Sequence, residues 1–169
     1  MAETKPSGVP MIDAPGAIVS QEVAHIDKKG CLNLLQRWTK RLAWFPSHPE
    51  DFEVLLIFLS PGRLSIRDFA NDGARIQQRY NELSAETDAE TLEVLRLMQD
   101  RYGRLRVPKS RRASLGDPAL AHLELERGQR STIYVAIFPN YIDLLSLRYR
   151  NEKLIAYQEQ IDDLPFIDF

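Results

Sequence analysis

The sequence predicts an α+β fold in which two tandem strand-rich repeats with short helices are related by a pseudo-two-fold. Three observations predict it. Segments 27–38 and 100–111 align without gaps, sharing Asp27 and Asp100, basic Lys28 and Arg101, Gly30 and Gly103, Leu32 and Leu105, and aliphatic Leu34 and Val107. Each is followed by an apolar run that ends at a turn: 52–59 before Ser60-Pro61-Gly62, and 131–138 before Pro139-Asn140. Between them, 74–83 and 87–98 carry good helix formers and few breakers.

Taken in order, residues 1–20 contain Pro6, Pro10 and Pro15 and lack the basic start and apolar stretch of a secretory signal, so a flexible arm is expected. The first repeat spans 21–83. Its Asp27–Gly30 turn leads to a strand, then to a basic helical segment, 36–42. The continuous apolar run 52–59 reads as a buried strand, and 63–67 alternates as a half-buried strand does. A linking helix occupies 84–99, with Thr87 or Asp88 as N-cap and Leu92, Leu95 and Met98 on one face.

The second repeat spans 100–157. Gly103 permits a tight turn before a strand near Arg104, and Pro108 ends that strand and opens a helix, 109–115, closed by Gly116. Leu123 to Glu126 alternates as a half-exposed strand. A strand over 141–147 and a final helix over 150–160 follow. Residues 158–169 form an acidic tail containing Pro165.

Composition excludes several classes. Apolar residues make up 44% and charged residues 27%, the balance of a folded globular chain. No apolar run approaches the roughly 20 residues of a membrane helix, so no membrane partner is expected and the protein reads as soluble and cytoplasmic. Cys31 is the only cysteine, which excludes an internal disulfide and a cysteine-based metal cluster. The formal net charge of −2 leaves room for a nucleic-acid partner only if positive charge is gathered locally.

Such a gathering exists. Arg101, Arg104, Arg106, Lys109, Arg111 and Arg112 lie within twelve residues that contain no acid. In a strand, Leu105 and Val107 face the core while Arg104 and Arg106 face outward. Guanidinium groups bind phosphate oxygens and the O6 and N7 edge of guanine, and a β-ribbon fits the major groove of double-stranded DNA. The competing reading is a solvated basic strand neutralised by neighbouring acids.

At these residues the chain resembles the MraZ family of bacterial transcription regulators, which has the AbrB-like swapped-hairpin fold. That family carries two copies of an Asp-x-x-Gly-Arg motif, each followed by an aliphatic-Pro step and a basic helix. Asp100-Arg101-Tyr102-Gly103-Arg104 through Val107-Pro108 matches closely. Asp27-Lys28-Lys29-Gly30 matches up to the arginine, where Cys31 stands, and Leu35 stands at the proline. The resemblance covers about residues 22–155. It implies a nucleoid-associated regulator forming a ring-type homo-oligomer, with Arg104 as the leading DNA contact, Arg101 supporting it, and Lys28 and Lys29 from the first copy. Cys31 lacks a guanidinium fork, so the first copy is expected to reach phosphates at most. The alternative is a structural or protein-interaction module that has lost DNA binding.

No enzyme, cofactor, metal or small-molecule substrate is expected. His25, His48 and His122 are far apart in sequence, and no Gly-rich phosphate loop is present. Cys31 lies beside Lys28 and Lys29, but a nucleophilic role needs a base, and only His25 is near in sequence. Trp38, Trp44 and Phe45 read as core or subunit-interface residues rather than base-stacking ones.

Overall fold

Short alternating segments separated by Gly and Pro turns give eight strands, and capped polar segments give the helices. The structure, a computed structural model, describes residues 20–85 and 88–163. Strands β1 (Ser20–Ile26) and β2 (Cys31–Asn33) are followed by α1 (Gln36–Thr39), β3 (Phe52–Phe58), β4 (Arg63–Arg67) and α2 (Phe69–Ser84). Helix α3 (Ala89–Met98) and a 3-10 turn (Gln99–Arg101) lead to β5 (Tyr102–Val107), β6 (Arg112–Ser114) and α4 (Asp117–His122). Strands β7 (Ser131–Ile137) and β8 (Ile142–Leu145) and helices α5 (Leu147–Ala156) and α6 (Gln158–Asp162) complete the described chain.

All eight strands form one antiparallel sheet in the order β5-β3-β4-β8-β7-β1-β2-β6. The two outermost strands, β5 and β6, are consecutive in the chain, so the sheet curls into a near-barrel closed by the 108–111 turn. Pairing crosses between the chain's halves: β1 lies against β7 (Ile26 opposite Ser131), and β5 lies against β3 (Val107 opposite Phe52). The inward residues of each strand, among them Ile26, Leu32, Leu64, Leu105, Val107, Ile133, Val135 and Leu144, fill a common core with Leu34, Trp38 and Leu115.

Helices start where a side chain supplies an acceptor. Asp68 accepts from the Ala70 amide at α2, Asp88 from Thr91 at α3, and Ser146 from Tyr149 at α5. Gly62 ties two of these regions together at φ +90; a Cβ there would lie 2.5 Å from Ser146 Oγ and 2.8 Å from Tyr149 Cβ. Gly62→Ala is therefore expected to destabilise by about 2 kcal/mol or more, adding backbone strain to a broken α5 cap, read as a lower denaturant midpoint.

Several local expectations are corrected. Residues 109–115 are not helical: the chain turns at Arg111 (φ 67), whose amide donates to Pro108 O, and enters β6. The out-in alternation of Arg112, Ala113, Ser114 and Leu115 outweighs their helix propensity. Gly116 is consequently the N-cap position of α4, with Pro118 in its first turn, rather than a helix end. Gly103 lies inside β5 opposite Leu56, not in a turn. Leu123 to Glu126 is a turn with Glu124 at φ 63. Leu92 is 48% exposed, and Leu95 is the residue that α3 buries. Residues 158–162 belong to helix α6. Of the expected arm, 1–20, Ser20 opens β1 and residues 1–19 lie outside the described residues, as do Thr87 and residues 164–169.

The gapless match of 27–38 with 100–111 does not place equivalent residues in equivalent positions. Asp27–Gly30 forms the turn between β1 and β2, whereas 100–103 spans the 3-10 turn and the start of β5. The geometric counterpart of 27–30 is the 108–111 turn, where Arg111 (φ 67) repeats the left-handed conformation of Gly30 (φ 80). No described helix is long and apolar enough to cross a membrane.

Candidate nucleic-acid interface

Strands β2 and β6 each bury one side and expose the other. Leu32 and Ala113 point inward, leaving Cys31, Asn33, Arg112 and Ser114 on the outer face. Antiparallel register sets Cys31 opposite Ser114 and Asn33 opposite Arg112. Two further backbone bonds lengthen the ribbon, Leu115 N to Gly30 O and Leu34 N to Arg111 O, both 2.9 Å. The paired segment from Gly30 to Leu34 is thus roughly 13 Å long at about 3.3 Å per residue. Its outer face is polar, and each end carries an exposed turn: Lys28-Lys29 at one, Lys109 at the other.

The first turn is built around Asp27. Its Oδ1 accepts from the amides of Lys29 (2.9 Å) and Cys31 (3.0 Å), and its Oδ2 pairs with the Arg112 guanidinium reaching across the ribbon. The Cys31 amide, then the Arg112 and Lys29 contacts, hold the Asp27 carboxyl below its ordinary range despite some desolvation. The hydrogen bond that Arg112 donates to Asp27 in turn raises the pKa of the guanidinium. Arg112 is thereby oriented while its side chain stays 54% exposed. The carbonyls of Lys28 and Lys29 are occupied by Gly128 N (2.9 Å) and Arg127 Nη1 (2.7 Å), with Arg127 braced by Asp117. This fixes the turn backbone and leaves both lysine side chains exposed, with no carboxylate partner among the described residues. Arg130, just before β7, adds another exposed cation beside this hairpin.

The remaining expected contacts fall elsewhere. Arg104 lies 3.3 Å from Glu53 and over the Phe69 ring, and Arg106 pairs with Asp51, so the outer face of β5 is not an unopposed guanidinium surface. Exposed pairs of this kind hold by only about 0–1 kcal/mol, but their near-neutral field gives a phosphate backbone little reason to approach. Arg111 is a structural residue. It donates to Thr39 Oγ1 (2.7 Å) and Ser47 O (2.8 Å) and sits half-buried over Phe45. Arg101 is exposed at the far end of β5, roughly 20 Å from Lys109 by strand rise.

The chain matches no protein-family model and no curated protein.

Of the eight expected basic contacts, the structure gathers Lys28, Lys29, Lys109 and Arg112 around one ribbon. Sequence reasoning missed Asn33 and Ser114. The alternation from Arg112 to Leu115 places Ser114 outward, where the sequence predicts a helix over 109–115. Elsewhere, His25 Nδ1 faces Thr132 Oγ1 at 3.2 Å, and His122 Nε2 lies 3.0 Å from the carbonyls of Ser60 and Arg63, which fits an Nε2–H donor. Among the described residues, no group of three His, Cys, Asp or Glu side chains is placed to hold a metal.

Proposed function

We propose that this protein is a DNA-binding regulator that lays the outer face of the β2/β6 ribbon on double-stranded DNA. The observation that carries the reading is the ribbon itself: a polar face with Asn33 opposite Arg112, flanked at both ends by exposed lysines. Lys28, Lys29 and Lys109 serve as phosphate contacts, giving affinity and register. Arg112, positioned by Asp27, and Asn33 offer the donors and acceptors that read base edges.

Symmetry supports the same reading. The order strand, strand, helix, strand, strand, helix occurs twice, in β1-β2-α1-β3-β4-α2 and β5-β6-α4-β7-β8-α5. Exchanging the halves maps the β1–β7 pair onto β5–β3 and β3–β4 onto β7–β8, and returns β2–β6 and β4–β8 to themselves. We read this as a tandem duplication of one AbrB-like unit, with the ribbon on its pseudo-two-fold. In this register Arg112 directly follows the counterpart of Gly30 and takes the motif arginine's place, which Cys31 holds in the first half. One such ribbon offers few phosphate contacts, so several copies along one duplex raise affinity through effective concentration.

A titration of labelled duplex tests the proposal. With about four phosphates neutralised, affinity is expected to fall roughly 100-fold between about 50 and about 200 mM salt. No binding, or binding indifferent to salt, favours a second reading, a protein-interaction module. The acid-paired Arg104 and Arg106 and the exposed Val94, Leu97, Ile155 and Tyr157 speak for that alternative.

A further inference from the structure

Matching Gly30 with Arg111 brings the two halves into correspondence well beyond their turns. Ile26 falls on Val107, Leu34 on Leu115 and Leu42 on Leu123, all of them buried. Leu35 falls on Gly116, and each is the residue from which its helix, α1 or α4, starts. The agreement breaks at two facing positions, where Glu22 corresponds to Gly103 and Trp38 to Ala119. In the first half these side chains fill the space between strand and helix. The Trp38 indole is 2% exposed and donates to the Glu22 carboxylate at 2.8 Å. In the second half neither side chain exists, and between β5 and α4 lies an open cleft of 520 Å³.

The cleft has two kinds of wall. Leu56, Pro118 and the Phe58 ring, which lies against Gly103, are apolar. Gln99, Asp100, Tyr102 and Arg104 make the other side polar. Arg104 is paired with Glu53, and Gln99 donates to Tyr80 Oη (3.3 Å). The Asp100 carboxylate is exposed and forms no ion pair among the described residues. Its volume and its apolar surface set with a few polar groups are those of small-molecule sites. A void where a ring is missing accepts a ring supplied from outside.

We propose that this cleft binds a free, flat aromatic amine of indole size, with its ring against Leu56, Phe58 and Pro118 and its nitrogen toward Asp100. The ligand's chemistry is that of the pair the first half already holds, an indole N–H on a carboxylate, with Asp100 as the acceptor that Glu22 is there. This binding is independent of DNA contact by the ribbon.

Amide shift mapping of the full-length chain with indole, tryptamine and indole-3-acetate tests it. Saturable shifts are expected at Leu56, Phe58, Gly103 and Ala119, while Glu22 and Trp38, whose space is filled, are not shifted. Tryptamine is expected to bind about fivefold or more tighter than indole-3-acetate, because it carries the charge opposite to that of Asp100 and the acetate carries the same one. Asp100→Asn, a change at an exposed position, removes most of that preference. Ala119→Leu puts a side chain into the cleft and weakens all three probes by about tenfold or more; should it fail to fold, the Asp100 variant decides alone. Absence of saturable shifts at the cleft, equal shifts around Trp38, equal binding of the two charged probes, or a preference that survives Asp100→Asn overturns the proposal. Tighter binding of a capped glycyl-tryptophyl-glycine tripeptide than of tryptamine overturns it as well and gives the cleft to a partner's side chain.

Discussion

Trp38→Ala is expected to lower unfolding free energy by about 3–5 kcal/mol, among the largest losses open to a single side chain here. Helix α1 is a single turn, Gln36–Thr39, with no side-chain cap at Leu35, so local helix energetics cannot hold it. What holds it is burial. Trp38 is 2% exposed, and its indole N–H reaches Glu22 on β1. Truncation leaves a cavity beneath α1 and removes one of the contacts through which the Glu22 carboxylate docks the helix on the sheet. Glu22 keeps Arg37, whose hydrogen bond is the main reason its carboxyl is held below the ordinary range. Trp44, the other indole in the chain, remains as the fluorescence probe for a denaturant titration. A midpoint close to that of the natural protein would show that α1 is not docked through this residue.

Arg112→Ala is expected to weaken duplex binding by about 10- to 100-fold, the range of one lost base-edge or charged contact. Arg104→Ala, by contrast, is expected to change affinity by less than about threefold, since Arg104 is exposed and paired with Glu53 and such pairs are worth little either way. The contrast matters because the two arginines differ little in sequence context. Arg112 stands on the ribbon face with its partner Asp27 fixed by two backbone amides; Arg104 stands on the outer side of β5, where Glu53 and Asp51 offset its charge and that of Arg106. Lys28→Ala and Lys109→Ala belong to the phosphate class and should reduce the salt slope by about one each, with smaller effects on affinity. Equal losses for Arg104→Ala and Arg112→Ala would put the contact surface on β5 instead.

Much of the strand layout was legible because its signals are local. The runs from Phe52 and from Ser131 are continuous and apolar, as strands covered on both sides tend to be, and Gly62 and Pro139-Asn140 mark the turns. The inward Leu105 and Val107 and outward Arg104 and Arg106 follow from alternation alone. What the sequence concealed is non-local. The acids that neutralise Arg104 and Arg106, Glu53 and Asp51, lie about 50 residues earlier and meet them only through β3–β5 pairing. Arg111 reads as one more surface cation, yet it turns back onto Thr39 and Ser47. The shared left-handed conformation of Gly30 and Arg111 carries no sequence signal, because glycine is the residue usual there and Arg111 is not one. Cross-strand partners such as Asn33 and Arg112 carry no signature in either segment alone.

The central claim, that the β2/β6 ribbon is the surface that meets DNA, is tested most directly by backbone amide shift mapping during titration with a duplex. Perturbations are expected to concentrate at Lys28 to Asn33 and Lys109 to Ser114 and to fade when salt is raised. Shifts confined to β5 around Arg104, or to the α2 and α3 layer, would contradict it, as would a spectrum that the duplex leaves unchanged.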